Sequence, residues 1–334
     1  MGTEGTFSTE VLKLHCADET AKITHKLREI VLKRFKKRGV VVGLSGGIDS
    51  SVVGALCVRA FGKDRVLGLL MPEKESSPET YELGPFISDH LEIQTVTEDI
   101  TDVLESVRCY QRRDDAIRSV VPEYGPGYKC KIVLPGILED CKYKVFSVVV
   151  QSAEGEQKKV RLTSGAYLEI VAATNFKQRV RKMLEYYHAD RLNFAVAGTP
   201  NRQEYDQGFF VKLGDGAADV KPIAHLHKIQ VYQMAEYLGI PEQIRSRPPT
   251  TDTYPMQQSQ EEFYFSVPYD KMDLCLYGKN HGVTPEQVAA AADMTAEQVE
   301  RVFRDIDAKR NATRYLHTPS LLIDKVEEIS IMNL

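Results

Sequence analysis

Val40-Val41-Val42-Gly43-Leu44-Ser45-Gly46-Gly47-Ile48-Asp49-Ser50-Ser51 is the stretch that decides how this chain folds. Val40 to Leu44 is an unbroken apolar run, the pattern of a strand buried on both faces of a parallel sheet. Ser45-Gly46-Gly47 is a tight turn. Asp49 to Phe61 then carries Val52, Val53, Leu56 and Cys57 on one side of a helix that Gly62 ends. On the N-terminal side, residues 21–37 place Ile23, Leu27, Ile30, Val31 and Phe35 at helical spacing. On the C-terminal side, Arg65 to Met71 reads as a second buried strand, Ser76 to His90 as a helix and Ile93 to Val96 as a third strand. A strand, helix, strand, helix, strand order predicts an α/β fold with a doubly wound parallel sheet. A long helix from about Tyr167 to Tyr187, a strand from Asn193 to Ala197 and a helix after Pro222 with Val231, Met234, Ala235 and Leu238 continue the alternation.

Two regions depart from it. Val145 to Val150 is strongly β-prone, Ala153-Glu154-Gly155-Glu156 is a turn, and Val160 to Thr163 alternates, so a β-hairpin is expected. Residues 105–165 therefore read as an insertion. Thr284-Pro285-Glu286-Gln287 and Thr295-Ala296-Glu297-Gln298 are capping-box starts, and they predict a small C-terminal helical appendage at about 284–310. Residues 1–20 read as a tail and 21–334 as one domain.

Composition narrows the function classes. The chain has 334 residues, 43 basic against 47 acidic ones, and a formal net charge of -4. That balance argues against a nucleic-acid-wrapping or polybasic membrane surface. No apolar stretch reaches the length of a membrane span and no signal core stands near Met1. The six cysteines, Cys16, Cys57, Cys109, Cys130, Cys141 and Cys275, include no C-x-x-C pair. They fit a reducing cytoplasm, and the spacing of Cys109, Cys130 and Cys141 is not that of a zinc site.

The turn after the first strand carries the chemistry. Gly46 and Gly47 let the backbone approach a ligand closely. The following helix aims its free N–H groups and positive dipole end at the turn, and Ser45, Ser50 and Ser51 add hydroxyls, a set that suits phosphate. It is neither a G-x-G-x-x-G fingerprint nor a Walker A loop. Asp49 within it suggests that Mg²⁺ accompanies the phosphates.

A buried strand feeding S-G-G-x-D-S and a helix resembles the PP-loop ATP pyrophosphatases, whose fold is Rossmann-like. Further blocks resemble the NAD synthetases among them: residues 66–72 with Ser76-Ser77-Pro78-Glu79, Asn175 to Arg181 (N-x-K-x-R-x-R), and Gly198 to Glu204 (G-T-x-N-x-x-E). Gly208-Phe209-Phe210, Lys212 to Asp219, Pro222-Ile223, Lys228 and Pro248 to Asp252 follow in the family's order. The similarity covers roughly residues 20–100 and 168–320.

This resemblance implies an ammonia-dependent ligase that adenylates the nicotinate carboxylate of deamido-NAD with ATP and lets ammonia displace AMP. It implies that Ser45, Gly46, Gly47, Ser50 and Ser51 hold the β- and γ-phosphates. Asp49 and Glu204 would bind Mg²⁺, while Lys228 and Thr250 would meet the departing pyrophosphate. Leu70 and Met71 would line the adenine site with Thr199 and Arg179 nearby. Asp219 would face the pyridine end of the second substrate and Asn175 would lie along it. A homodimer is implied as well. No glutaminase segment is recognisable, so nitrogen would come as free ammonia or from a separate glutaminase.

Plainer readings stand beside these: Asp49 as a helix cap, Glu204 as a solvated acid, Lys228 as a surface lysine, Asp219 as a turn cap, and His225 and His227 as structural. Ala217 stands where the family has a second glycine. Thr251-Asp252-Thr253 replaces A-D-L, and the lysine of the family's C-terminal His-Lys-Arg is missing before Pro319 although Arg314 is kept. The alternative is a PP-loop ligase that adenylates a different carboxylate.

Overall fold

The computed structural model describes residues 7–134, 146–251, 253–324 and 326–327. Cys141, Val145 and Asp252 lie outside the described residues. The decisive stretch becomes β1 (Val40–Gly43), followed by α2 (Ile48–Phe61), which itself follows α1 (Cys16–Leu27). Next come β2 (Val66–Leu70), α3 (Pro78–His90), β3 (Gln94–Thr97), α4 (Thr101–Ser106) and α5 (Cys109–Arg118). The sheet is completed by β7 (Ala195–Ala197), after three strands described below, and its order is β3-β2-β1-β7. Every pairing in it is parallel, with Val40 opposite both Val66 and Ala195. The expected doubly wound α/β sheet is therefore present.

Strand alternation sorts the side chains into two cores. Val40 and Val42 face α1, α2 and α8 (Lys228–Tyr237), meeting Ile23, Leu27, Leu56, Val231 and Met234. Val41 faces the other way with Leu67, Leu69 and Met71, against Leu104, Tyr110 and Val180. Those residues belong to α4, α5 and the long α6 (Ser164–Leu192). Thr163 starts α6 by accepting the Ala166 N–H, and Asn193 ends it in the left-handed region.

The insertion contains more than a hairpin. Its sheet is three-stranded and antiparallel, with β4 (Lys129–Val133), β5 (Ser147–Gln151) and β6 (Gln157–Arg161) in that order. The hairpin signal found β5 and β6 only. In β4, Lys129-Cys130-Lys131 interrupts the apolar run, and Cys130 and Ile132 turn inward against Ala116, Ile117, Ala166 and Ile170. Helix α5 lies within the 105–165 block, yet Cys109 and Tyr110 belong to the core beneath the main sheet. The block is thus fused to the α/β body rather than appended to it.

Short α7 (Arg202–Gln207) and α9 (Glu242–Arg245) flank α8, and β8 (Thr250–Thr251) pairs with β9 (Gln258–Ser259). Helices α10 (Tyr269–Asn280), α11 (Pro285–Ala292) and α12 (Ala296–Thr313) form the C-terminal core with Phe7 and Leu12. Thr284 and Thr295 make the capping boxes read from the sequence. Among the described residues, no helix is long and apolar enough to cross a membrane.

Candidate active site

The chain leaves β1 toward β2 on one side and reaches β7 on the other, so the strand order reverses between β1 and β7. Ligands of open α/β sheets bind at the carboxyl ends of strands at such a point. There a cleft of about 880 Å³ opens, lined by the glycine turn, the β2 end, the outer face of α6 and the turn after β7.

Gly46 makes the turn possible. Its φ is +76°, and a Cβ there would stand 2.4 Å from the Leu83 Cβ. Gly47 then caps α2, whose first-turn N–H groups face the turn. Ser45 and Ser50 hydroxyls lie 3.3 Å apart, and Ser45 Oγ accepts the Gly47 N–H at 3.3 Å. Ser50 and Ser51 hydroxyls donate to the Gly47 carbonyl at 3.0 and 2.8 Å. Both serines are buried, so in this geometry they brace the turn from within, whereas Ser45 lines the cleft.

Three charged side chains converge beside it. Lys228 Nζ donates to Asp49 Oδ2 at 2.5 Å, and Asn201 Nδ2 donates to Asp49 Oδ1 at 3.1 Å. Glu204 accepts the Asn201 N–H on Oε2 at 3.1 Å and Gln260 Nε2 on Oε1 at 3.0 Å. Burial, and then the charge of Asp49, push the Glu204 carboxyl up to about 8. Burial opposes the charge on Lys228, but Asp49 and Glu204 outweigh it and hold the ammonium above its usual range. Lys228 is only 2 % exposed, so it is a buried cation of the cleft and not a surface lysine.

The other candidates divide. Met71, Asn175, Arg179, Thr199 and Thr250 line the cleft. Leu70 does not; alternation turns it into the core against Gly84, and Leu69 lines the cleft beside Met71. Asp219 is also absent from the lining. Its Oδ2 accepts the Val196 N–H of β7 at 2.7 Å and its Oδ1 the Tyr186 hydroxyl at 3.3 Å, so it ties its loop to β7 and α6 rather than capping its own turn. Arg179 is exposed with Nε on the Lys212 carbonyl, while Arg181 Nε donates to the Met71 carbonyl at 3.2 Å.

Several cleft residues escaped the sequence reading. Gln178 and Lys182 follow Asn175 at helical spacing on α6, a signal that was available. Lys182 pairs with Glu185 at 2.5 Å, and half-buried Asp215, its carboxyl raised by desolvation, accepts the Val211 N–H at 2.7 Å. Lys177 Nζ reaches Glu73 at 2.7 Å, Glu75 at 2.9 Å and the Thr253 carbonyl at 3.2 Å. The insertion adds an apolar wall: Phe146 stacks on Tyr167 with ring centroids 3.9 Å apart, near Tyr254 and Phe263. Gln260 had no sequence signal, because only tertiary contact brings it to Glu204.

Asp49 and Glu204 offer the hard oxygens that Mg²⁺ prefers, each with lone pairs to spare. Desolvation, with the Asp49 charge behind it, raises the Glu204 carboxyl, and a divalent cation bound there would favour its ionised form. Among the described residues, no cluster of three or more His, Cys, Asp or Glu side chains forms a protein-only metal cage. The two carboxylates suit an ion shared with substrate phosphates.

Comparison with known proteins gives a consistent picture. The sequence model of a family described as NAD synthase matches residues 19–121 and 141–314, which leaves only 122–140 of the insertion unmatched inside that span. The chain is 58 % identical over 318 residues to the NH3-dependent NAD+ synthetase of Mesorhizobium japonicum, covering 95 % of this chain and 100 % of that protein. It is 32 % identical over 300 residues to the NH3-dependent NAD+ synthetase of Methanocaldococcus jannaschii, covering 90 % and 95 %. In fold it is similar to the NMN synthetase of Francisella tularensis, with TM-score 0.65 at 22 % identity, covering 94 % of this chain and 100 % of that one. The NH3-dependent NAD synthetase of Campylobacter jejuni gives TM-score 0.61 at 20 % identity, covering 93 % and 100 %.

Proposed function

The chain belongs to the NAD synthase family, and on that premise we propose how its cleft makes NAD from deamido-NAD, ATP and ammonia. The carrying observation is the glycine turn with Asp49, Glu204 and Lys228 converging beside it. The reading of a different carboxylate acceptor is not favoured, since full-length relatives carry the NH3-dependent NAD+ synthetase name.

A nicotinate carboxylate oxygen attacks the α-phosphorus of ATP, and the bond to the bridging oxygen of pyrophosphate breaks. Ammonia then adds to the acyl carbon, sheds a proton, and AMP departs with the electron pair of the acyl–oxygen bond. The glycine turn and Ser45 would cradle the phosphates at the N-terminus of α2. Ser50 and Ser51 would support that turn. Lys228 and Thr250 would meet the charge developing on the departing pyrophosphate. Asp49 and Glu204 would hold Mg²⁺, which when bound offsets phosphate charge. Met71, Thr199 and Arg179 would border the adenosine. Asn175 would run along the acceptor toward the wall of Phe146 and Tyr167.

Nitrogen arrives as free ammonia in this reading, with a separate glutaminase as the alternative source. A cytoplasmic homodimer completes it. Leu168, Met183 and Tyr187 on α6 are 63 %, 56 % and 59 % exposed, apolar surface that a second copy would cover; a monomer by light scattering would refute the dimer. The decisive experiment mixes the protein with ATP, Mg²⁺, ammonium and deamido-NAD and measures AMP, pyrophosphate and NAD. Equal yields of the three are expected. AMP release with another acid and no NAD would overturn the acceptor.

A further inference from the structure

Asp273 lies on α10, outside the cleft lining, and is fully buried. Its two oxygens nevertheless reach both elements that carry the site's charged side chains. Oδ1 accepts Gln203 Nε2 at 2.8 Å and pairs with His227 Nδ1 at 3.0 Å, while Oδ2 accepts the Ile229 N–H at 2.8 Å. Gln203 precedes Glu204 on α7. His227 and Ile229 flank Lys228 at the start of α8. Gln203 is tied to α10 a second time through the Tyr269 carbonyl at 2.8 Å.

The N-terminus of α8 is where this distant carboxylate acts. A helix start leaves backbone N–H groups without intrahelical partners, and an Asp, Asn, Ser or Thr just before it usually accepts one. Here the preceding residue is His227, whose own N–H is met locally by Gln230 Oε1 at 3.0 Å, and Asp273 adds a cap on the Ile229 N–H from another helix. Its negative charge also suits the positive end of the α8 dipole. The same carboxylate receives the Gln203 amide, so α7 and α8 share one buried anchor.

We infer that Asp273 is a positioning residue for the adenylation site: it joins α7 and α8 through α10 so that Glu204 and Lys228 keep their placement around Asp49. The inference rests on the proposed reaction for its catalytic consequence. Lys228 depends on it most, because the cap bonds the backbone one residue away, and a side chain meeting a developing charge must be held to a fraction of an ångström.

The test compares Asp273→Asn with Val288→Ala, a core truncation on α11, which packs chiefly on α10 and α12. Asparagine keeps the shape of the site but replaces one acceptor oxygen with a donor, so the Gln203 and Ile229 bonds cannot both survive. For Asp273→Asn we expect kcat at saturating substrates to fall about tenfold or more, and Mg·ATP affinity by calorimetry to weaken. KM for deamido-NAD should stay within about twofold. Val288→Ala should lose Tm yet keep kcat, which separates positioning from general stability. If Asp273→Asn does not fold, Gln203→Met cuts one arm of the anchor and should lower kcat in the same direction. Unchanged kcat and Mg·ATP affinity in the folded variant would overturn the inference, as would an equal loss of kcat in Val288→Ala. Wild-type protein that binds Mg·ATP but makes no NAD would refute the proposed acceptor, and Mg·ATP affinity alone would then decide the positioning role.

Discussion

Lys228 Nζ sits 2.5 Å from Asp49 Oδ2 across 179 residues of chain. One end of the contact belongs to the first turn of α2, beside the glycine turn, and the other to the first turn of α8. The lysine is buried and paired, so it presents a fixed charge that costs no reorganisation during reaction. Asp49→Ala is therefore expected to abolish pyrophosphate release and to leave a buried lysine without its carboxylate. A pyrophosphate assay checks this, and retained turnover would refute the assigned role.

Gly46→Ala tests the turn itself. A left-handed φ of +76° strains any side chain, and the new Cβ would press on Leu83 and on the α3 backbone. Strain plus overpacking is expected to cost about 2–4 kcal/mol. Urea unfolding should show the loss, and Mg·ATP affinity should fall with it.

Glu75 gives a pH dependence. Burial alone would raise its carboxyl, but Arg113 and Lys177 outweigh burial and hold it at about 2. Arg113 binds it with two nitrogens, at 2.6 and 2.8 Å. Its folded value lies below the ordinary 4.5, so the stabilisation is present above pH 4.5 and is lost as pH falls toward 2. Glu75→Gln should cost about 3 kcal/mol at neutral pH, since it leaves Arg113 and Lys177 undercompensated. Denaturant melts between pH 7 and 3 should show the gap between variant and wild type closing below pH 4.5.

Thr295→Ala addresses the C-terminal helices. The Thr295 hydroxyl accepts the Gln298 N–H at 3.2 Å in an exposed capping box. Its removal should cost about 1 kcal/mol. Thermal unfolding reads the loss, and kcat should not change because the residues of α12 that line the cleft, Asp305 to Thr313, lie toward its other end.

Legibility followed the range of the interactions. Val40 to Gly47 announced strand and turn because burial on both faces demands an apolar run and a sharp turn demands glycine. Thr284 and Thr295 announced their helices because capping boxes close within three residues. Leu70 was misassigned to the cleft, since a fully apolar strand hides which face each residue takes. Asp219 was read as a substrate contact because its neighbours match a family block, and only folding sets the Val196 N–H against it. Strand β4 was missed because its edge partners, Val148 and Val150, lie beyond a long gap in sequence.

By itself the sequence determined the α/β sheet, the glycine turn and the family, since each is written in local pattern or in ordered motifs. Tertiary structure alone decided that Gln260 meets Glu204, that Asp273 caps the helix of Lys228 and that Lys177 ties α6 to Glu73, Glu75 and the Thr253 carbonyl. Buried polar groups must find partners wherever the fold offers them. Those partners carry no fixed spacing in the chain, so no local pattern announces them.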